Sequence, residues 1–116
     1  MAADYGSLRS FVREIKDYPT DGVTFRDITP LLGDGATFAA AVNGLVDEFD
    51  HLTIDRVVGV ESRGFIFASA LADRRGKGFV LIRKKGKLPP PVVDIAYELE
   101  YGTGVLEMPM GQGRLL

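Results

Sequence analysis

Two stretches of this sequence carry residues suited to gripping a compact polyanion. The first is Val57-Val-Gly-Val60, followed by Glu61-Ser-Arg-Gly64 and then a helical pattern. In open parallel sheets, ligands sit beyond the carboxyl ends of the strands. A helix N-terminus there offers N–H groups and partial positive charge to an anion. Gly64 allows close backbone approach, Ser62 adds a hydroxyl, and Arg63 adds a planar fork that matches phosphate. An ordinary strand-to-helix turn with a surface arginine would read the same way. The second stretch is Ile82-Arg-Lys-Lys-Gly-Lys87. A lone basic run is usually a solubilising surface, but this one leaves a buried strand and feeds a loop at the same edge. Cations on such a loop can close over a polyphosphate and exclude water. A third stretch, Glu98-Leu-Glu-Tyr101, places carboxylates after that loop. One of them could serve as a base, or the stretch is simply a half-exposed strand. His51, the only histidine, lies between Asp50 and Leu52 and reads as a surface residue without a role. No His, Cys and carboxylate grouping suggests a structural metal, and no Walker-type loop is present.

These residues need a scaffold. Leu8, Phe11, Val12 and Ile15 fall at i, i+3, i+4 and i+7, which predicts an amphipathic helix near residues 5–16. Tyr18-Pro19 ends it. Residues 18–34 read as a long irregular segment, a kind of connection that is often functional. A second helix is expected over 35–50, capped by Asp34, with Phe38, Ala41, Val42, Leu45, Val46 and Phe49 as its apolar stripe. Residues 56–60 form a buried strand, 65–75 a third helix stopped by Gly76 to Gly78, and 79–82 a second buried strand. Strand, turn, helix and strand make a βαβ unit, with parallel strands. Gly86-Lys-Leu-Pro-Pro-Pro91 is an exposed loop, since prolines exclude a helix or a central strand. Tyr97, Leu99 and Tyr101 then alternate with Glu98 and Glu100 as a strand, with a turn at Gly102 to Gly104 and a return strand over 105–108. Residues 111–116 read as a turn and the first residues of another strand.

Composition narrows the class. The 116 residues are 46% hydrophobic and 26% charged, which suits a globular domain and not a disordered chain. The absence of cysteine excludes disulfides and thiolate chemistry. No apolar run approaches the roughly 20 residues of a membrane span, and the N-terminal residues lack a secretory pattern. A cytoplasmic enzyme or binding protein is the default. The net charge of −2 argues against a nucleic-acid coat, as does the lack of aromatics within the basic run. Half of the 14 Lys and Arg residues lie between Arg74 and Lys87 with no acid among them, a local patch that suits a compact polyanion.

Five stretches in order then resemble the adenine phosphoribosyltransferase family. They are Tyr18-Pro19, Gly22-Val-Thr-Phe-Arg-Asp-Ile-Thr-Pro-Leu-Leu32, Gly59-Val-Glu-Ser-Arg-Gly-Phe65, Val80-Leu-Ile-Arg-Lys-Lys-Gly-Lys-Leu-Pro89 and Tyr97-Glu-Leu-Glu-Tyr-Gly102. The resemblance implies a type I phosphoribosyltransferase-like α/β fold, a parallel sheet flanked by helices. Residues 1–34 would be the helix and purine hood, 35–85 the βαβ core, and 86–108 a flexible lid loop and strands, all in one domain. It implies a pentosyl transfer of purine salvage, in which adenine and PRPP give AMP and pyrophosphate, with Mg²⁺ carried on the phosphate and sugar oxygens. Glu61, Ser62, Arg63, Gly64, Arg83, Lys84 and Lys87 would bind PRPP or pyrophosphate. Phe25 would stack on adenine, and the main chain near Arg26 would read its exocyclic amine. Glu100 would manage the adenine proton, and Tyr101 would shield the reacting centre. The family is usually a homodimer.

The sequence departs from the family pattern in two places. Pro89-Pro90-Pro91 replaces the more usual proline-glycine-proline, so a stiffer lid is expected. The family's PRPP fingerprint, an apolar strand with two adjacent acids and a Thr/Gly-rich loop, is absent and would begin just after Leu116. The expectation is therefore a domain lacking the C-terminal part of its sheet, with an exposed edge and little AMP synthesis by itself. A catalytically silent phosphate-binding relative, or a transferase for another purine, is the alternative.

Overall fold

Asp34 starts the longest helix of the chain. Its carboxylate accepts the backbone N–H of Thr37 at 3.0 Å and also the Thr37 hydroxyl, which satisfies a donor that the first helical turn leaves without a partner. The computed structural model describes residues 6–111, and the strand start expected beyond them lies outside the described residues. Two compact units divide between Asp50 and His51.

The first unit runs α1 (Gly6–Arg9), β1 (Arg13–Lys16), β2 (Thr24–Asp27), α2 (Thr29–Gly33) and α3 (Gly35–Phe49). The helix expected near 5–16 is one helical turn followed by a strand. β1 pairs antiparallel with β2, in the register Arg13↔Asp27, Glu14↔Arg26, Ile15↔Phe25 and Lys16↔Thr24. The spacing of Leu8, Phe11, Val12 and Ile15 is helical, but only Ile15 of the four falls within residues 13–16, too little pattern to choose there between a further helical turn and a strand. The pairing decides between them: as a strand, Arg13 meets Asp27 at 3.0 Å and Glu14 meets Arg26 at 3.6 Å. The segment 18–34, expected to be irregular, holds β2 and α2. In α3 the expected stripe is largely right: Val42 is buried and only Phe49 is exposed.

The second unit runs β3 (Arg56–Val60), α4 (Arg63–Arg75), β4 (Gly78–Lys84), β5 (Val92–Leu99) and β6 (Gly102–Pro109). Its strands lie in the order β3-β4-β6-β5. β3 and β4 pair in parallel from Arg56↔Gly78 to Val60↔Ile82, as the βαβ pattern requires. Val57, Leu71, Ala72 and Val80 form the core between sheet and helix. The α/β expectation holds, but the sheet is mixed, because β6 and β5 join it antiparallel.

Alternation along β3 sets its two faces. Val57 and Gly59 are buried, whereas Val58 and Val60 are 51% and 45% exposed. Gly59 permits the close approach of α4. A Cβ there would lie 2.7 Å from Phe79 Cε1, 2.8 Å from Ala68 Cβ and 3.0 Å from the Gly64 carbonyl oxygen.

The β5–β6 hairpin turns earlier than expected. Leu99 pairs with Gly102, so Glu100 and Tyr101 are the turn itself and not the end of a strand. Gly102 sits at φ +121, a conformation open to glycine that lets the chain reverse there.

Candidate functional site

Parallel pairing brings the carboxyl ends of β3 and β4 to one edge. The ladder continues one step further, with Glu61 N–H donating to the Ile82 carbonyl at 2.9 Å. The Glu61–Ser62 peptide is cis. Ser62 is the N-cap of α4, and Arg63 begins the helix. The sequence-predicted residues Glu61 to Gly64 and Arg83 to Lys87 are therefore neighbours.

Glu61 is the residue that ties them together. Its side chain is 11% exposed. Oε1 accepts from Arg83 Nε at 3.1 Å and from the Lys84 backbone N–H at 3.0 Å, and Oε2 lies 3.9 Å from Lys87 Nζ. Arg83 is held from the other side as well, with its guanidinium carbon 6.0 Å from the centre of the Phe65 ring. Phe65 in turn meets Phe79 edge-on at 5.9 Å. The sequence reading grouped Glu61 with the phosphate ligands. Its position shows a carboxylate engaged with cations that are themselves suited to phosphate.

The turn after β4 is closed by hydrogen bonds on every residue. Lys85 N–H donates to the Val105 carbonyl at 3.1 Å, and Lys87 N–H to the Lys84 carbonyl at 3.2 Å. Gly86 N–H donates to Glu107 Oε1 at 2.8 Å. Glu107 is buried on β6, where its register partner on β4 is Arg83. The sequence reading gave Glu107 no role. An acid at the inward-facing position of a predicted return strand was the available signal.

Glu100 and Tyr101 are not brought to this cluster. They sit at the hairpin tip, Tyr101 is 90% exposed, and the six residue steps from Tyr101 to Glu107 along the strand span roughly 20 Å.

The other two predicted residues lie in the first unit. Phe25 is half-buried and meets Tyr18 edge-on at 5.3 Å. Arg26 points to the opposite face of β2, paired with Glu14. A cleft of about 520 Å³ on that face is lined by Leu8, Arg9, Val12, Glu14, Arg26 and Leu31. Asp27, which the sequence reading passed over, is buried and fixes the chain as it leaves Phe25 and Arg26. It accepts from the Thr29 backbone N–H at 2.9 Å, the Thr29 hydroxyl at 2.8 Å and Arg13 Nε at 3.1 Å. An aspartate whose side chain accepts the backbone N–H two residues on is a known turn-former.

Three carboxyls are held below their ordinary values, which are 3.8, 3.8 and 4.5 for Asp27, Asp34 and Glu61. The main causes are the Thr29 backbone N–H, the Thr37 hydroxyl and the Lys84 backbone N–H, respectively. A carboxyl with a depressed folded-state value stabilises the fold above its unfolded value and loses that contribution as pH falls through the folded one. Urea midpoints should therefore stay level from pH 7 to about 5 and decline below about 4.5, and replacing Glu61 with Gln should flatten that decline. A midpoint that rises on acidification would contradict this.

Among the described residues, no group of three or more acids and histidines is placed to hold a metal, and no helix is long and apolar enough to cross a membrane.

No family model matches the chain. Curated relatives do. The adenine phosphoribosyltransferase of Acidothermus cellulolyticus is 51% identical over 107 residues, covering 91% of this chain and 60% of its own length. Among solved structures, the adenine phosphoribosyltransferase of Thermoanaerobacter pseudethanolicus superimposes with a TM-score of 0.88 at 40% identity, over 91% of this chain and 62% of its own. The Saccharomyces cerevisiae enzyme, solved with an imino-altritol bisphosphate and adenine, gives 0.87 at 33% identity, over 97% and 66%. The chain spans about 60% of the length of the curated relative from Acidothermus. Alike in sequence and in fold over the stretch that aligns, the chain belongs to the adenine phosphoribosyltransferase family.

Proposed function

We propose that this protein joins adenine to the ribose 5-phosphate unit of PRPP, giving AMP and pyrophosphate. The observation that carries the reading is the convergence of Glu61 to Gly64 with Arg83 to Lys87 at one sheet edge. The leaving pyrophosphate gathers negative charge as the anomeric carbon becomes oxocarbenium-like. Ser62, Arg63 and the start of α4 hold it from one strand end, with Gly64 allowing close approach. Arg83, Lys84 and Lys87 neutralise it from the other, in the preorganised electrostatic manner of many active sites. Glu61 acts through these cations, keeping Arg83 and Lys87 in place.

Phe25 stacks on the purine, and the main chain at Arg26 reads its exocyclic amine. The adenine bound in the yeast relative supports this choice of base. Glu100 and Tyr101 reach the reacting centre by closure of the β5–β6 hairpin, where Glu100 manages the adenine proton and Tyr101 excludes water. Mg²⁺ would be held by the phosphate and sugar oxygens of the substrate and not by a protein cage: the carboxylate at this edge, Glu61, already accepts from Arg83 Nε and the Lys84 N–H and faces Lys87 Nζ at 3.9 Å. Carried there, the ion would screen the phosphate charge. A homodimer in the cytoplasm completes the reading.

Two measurements test it. The 116-residue chain should bind pyrophosphate in calorimetry, and protein expressed from the whole reading frame should convert labelled adenine to AMP only with PRPP. Transfer to a different purine instead of adenine, or no transfer at all, would sink the reading.

A further inference from the structure

The turn at residues 84–87 resembles an anion-binding loop, yet its backbone is fully occupied. The N–H groups of Lys84, Lys85, Gly86 and Lys87 donate to Glu61 Oε1, the Val105 carbonyl, Glu107 Oε1 and the Lys84 carbonyl. None of the four is aimed at a ligand. An anion here meets side-chain charge alone, so the placement of those side chains governs the grip.

Two carboxylates set that placement. Glu61 holds the start of the turn and Glu107 its apex, from strands on opposite sides of β4. Glu107 is 8% exposed, and burying a carboxylate costs free energy unless it is hydrogen-bonded. The Gly86 N–H at 2.8 Å supplies such a bond, the shortest of the four. A charge-assisted bond of this kind is stronger than its neutral counterpart.

We propose that Glu107 is a positioning residue for pyrophosphate, fixing the apex of the basic turn so that Lys84, Lys85 and Lys87 project together. This rests on reading the turn as part of the pyrophosphate site. Glu107 touches no phosphate itself. It acts by occupying the Gly86 amide, and an acceptor oxygen at that point suffices. A glutamine retains such an oxygen and removes a negative charge from beside the cations. An alanine removes both.

The experiment compares pyrophosphate affinity, by calorimetry on the 116-residue chain, for wild type, Glu107→Ala and Glu107→Gln. It adds amide hydrogen exchange at Gly86. Glu107→Ala should weaken binding about tenfold and expose the Gly86 amide, in line with loss of a charge-assisted hydrogen bond. Glu107→Gln should bind within about threefold of wild type, or more tightly, and keep Gly86 protected. A merely structural loss of Glu107 gives no such rescue. Where Glu107→Ala does not fold, Glu107→Asp replaces it, since its carboxylate stops one methylene short of Gly86, and the same loss is expected. Wild-type affinity in the alanine or aspartate variant overturns the inference and leaves the site reading intact, as does an unprotected Gly86 amide in the wild type. A wild-type chain that binds no pyrophosphate overturns the site reading, and the inference falls with it.

Discussion

Alanine at position 59 should destabilise the fold by roughly 1–3 kcal/mol, the range for overpacking a closed core. The added methyl would meet Phe79 at 2.7 Å, Ala68 at 2.8 Å and the Gly64 carbonyl at 3.0 Å. Two of these neighbours cannot swing away: Ala68 is fixed to α4, and Gly64 O is backbone. The helix must lift from β3, or the strand must bend. At about 4–8 °C per kcal/mol for a small domain, the melting temperature should drop by 4 °C or more. Gly35 provides the control. It opens α3 instead of lying in a strand, and a Cβ there meets nothing within 4 Å. Gly35→Ala should melt at or slightly above wild type, because alanine is the better helix former. If Gly59→Ala melts with wild type, the close approach of α4 is not what Gly59 provides.

Arg63→Ala and Lys87→Ala should each weaken pyrophosphate binding by roughly 10- to 150-fold, the value of one charge-assisted hydrogen bond. Stability should hardly change for Lys87→Ala. Its side chain is 53% exposed, and its pairing with Glu61 spans 3.9 Å, so it falls among surface ion pairs worth about 0–1 kcal/mol. Affinity and stability thus move apart in that variant, which separates a ligand contact from a structural one. Unchanged pyrophosphate affinity in both variants would refute their assignment.

Much of this architecture was legible in the residues. The strand at 56–60, the helix after it and the parallel strand near 79–82 follow from short apolar runs separated by turn chemistry, and their pairing fixes which loops share an edge. The basic turn was legible for the same reason. What the sequence concealed is long-range pairing. Nothing local shows that Arg13 will meet Asp27, and that contact turns an apparent helix into β1. Glu107 was missed for a similar reason, since its partner Gly86 lies 21 residues away. The hairpin turn was misplaced because Gly102 and Gly104 advertise a reversal that the register starts two residues earlier.

The join between β4 and β6 has a mechanical consequence. β5 and β6 pair over eight positions, whereas β6 pairs with β4 only at Arg83↔Glu107 and Lys84↔Leu106, with one further bond from Lys85 to Val105. The hairpin is therefore a stiff arm on a narrow pivot. A tilt of about 10° there carries the Glu100–Tyr101 tip through roughly 3.5 Å, given an arm of six residues at about 3.3 Å each. The pivot residues are the same ones that face the basic turn. Displacement at the tip and alignment of the cations are thus geared to one another, and a force on either end is felt at the other.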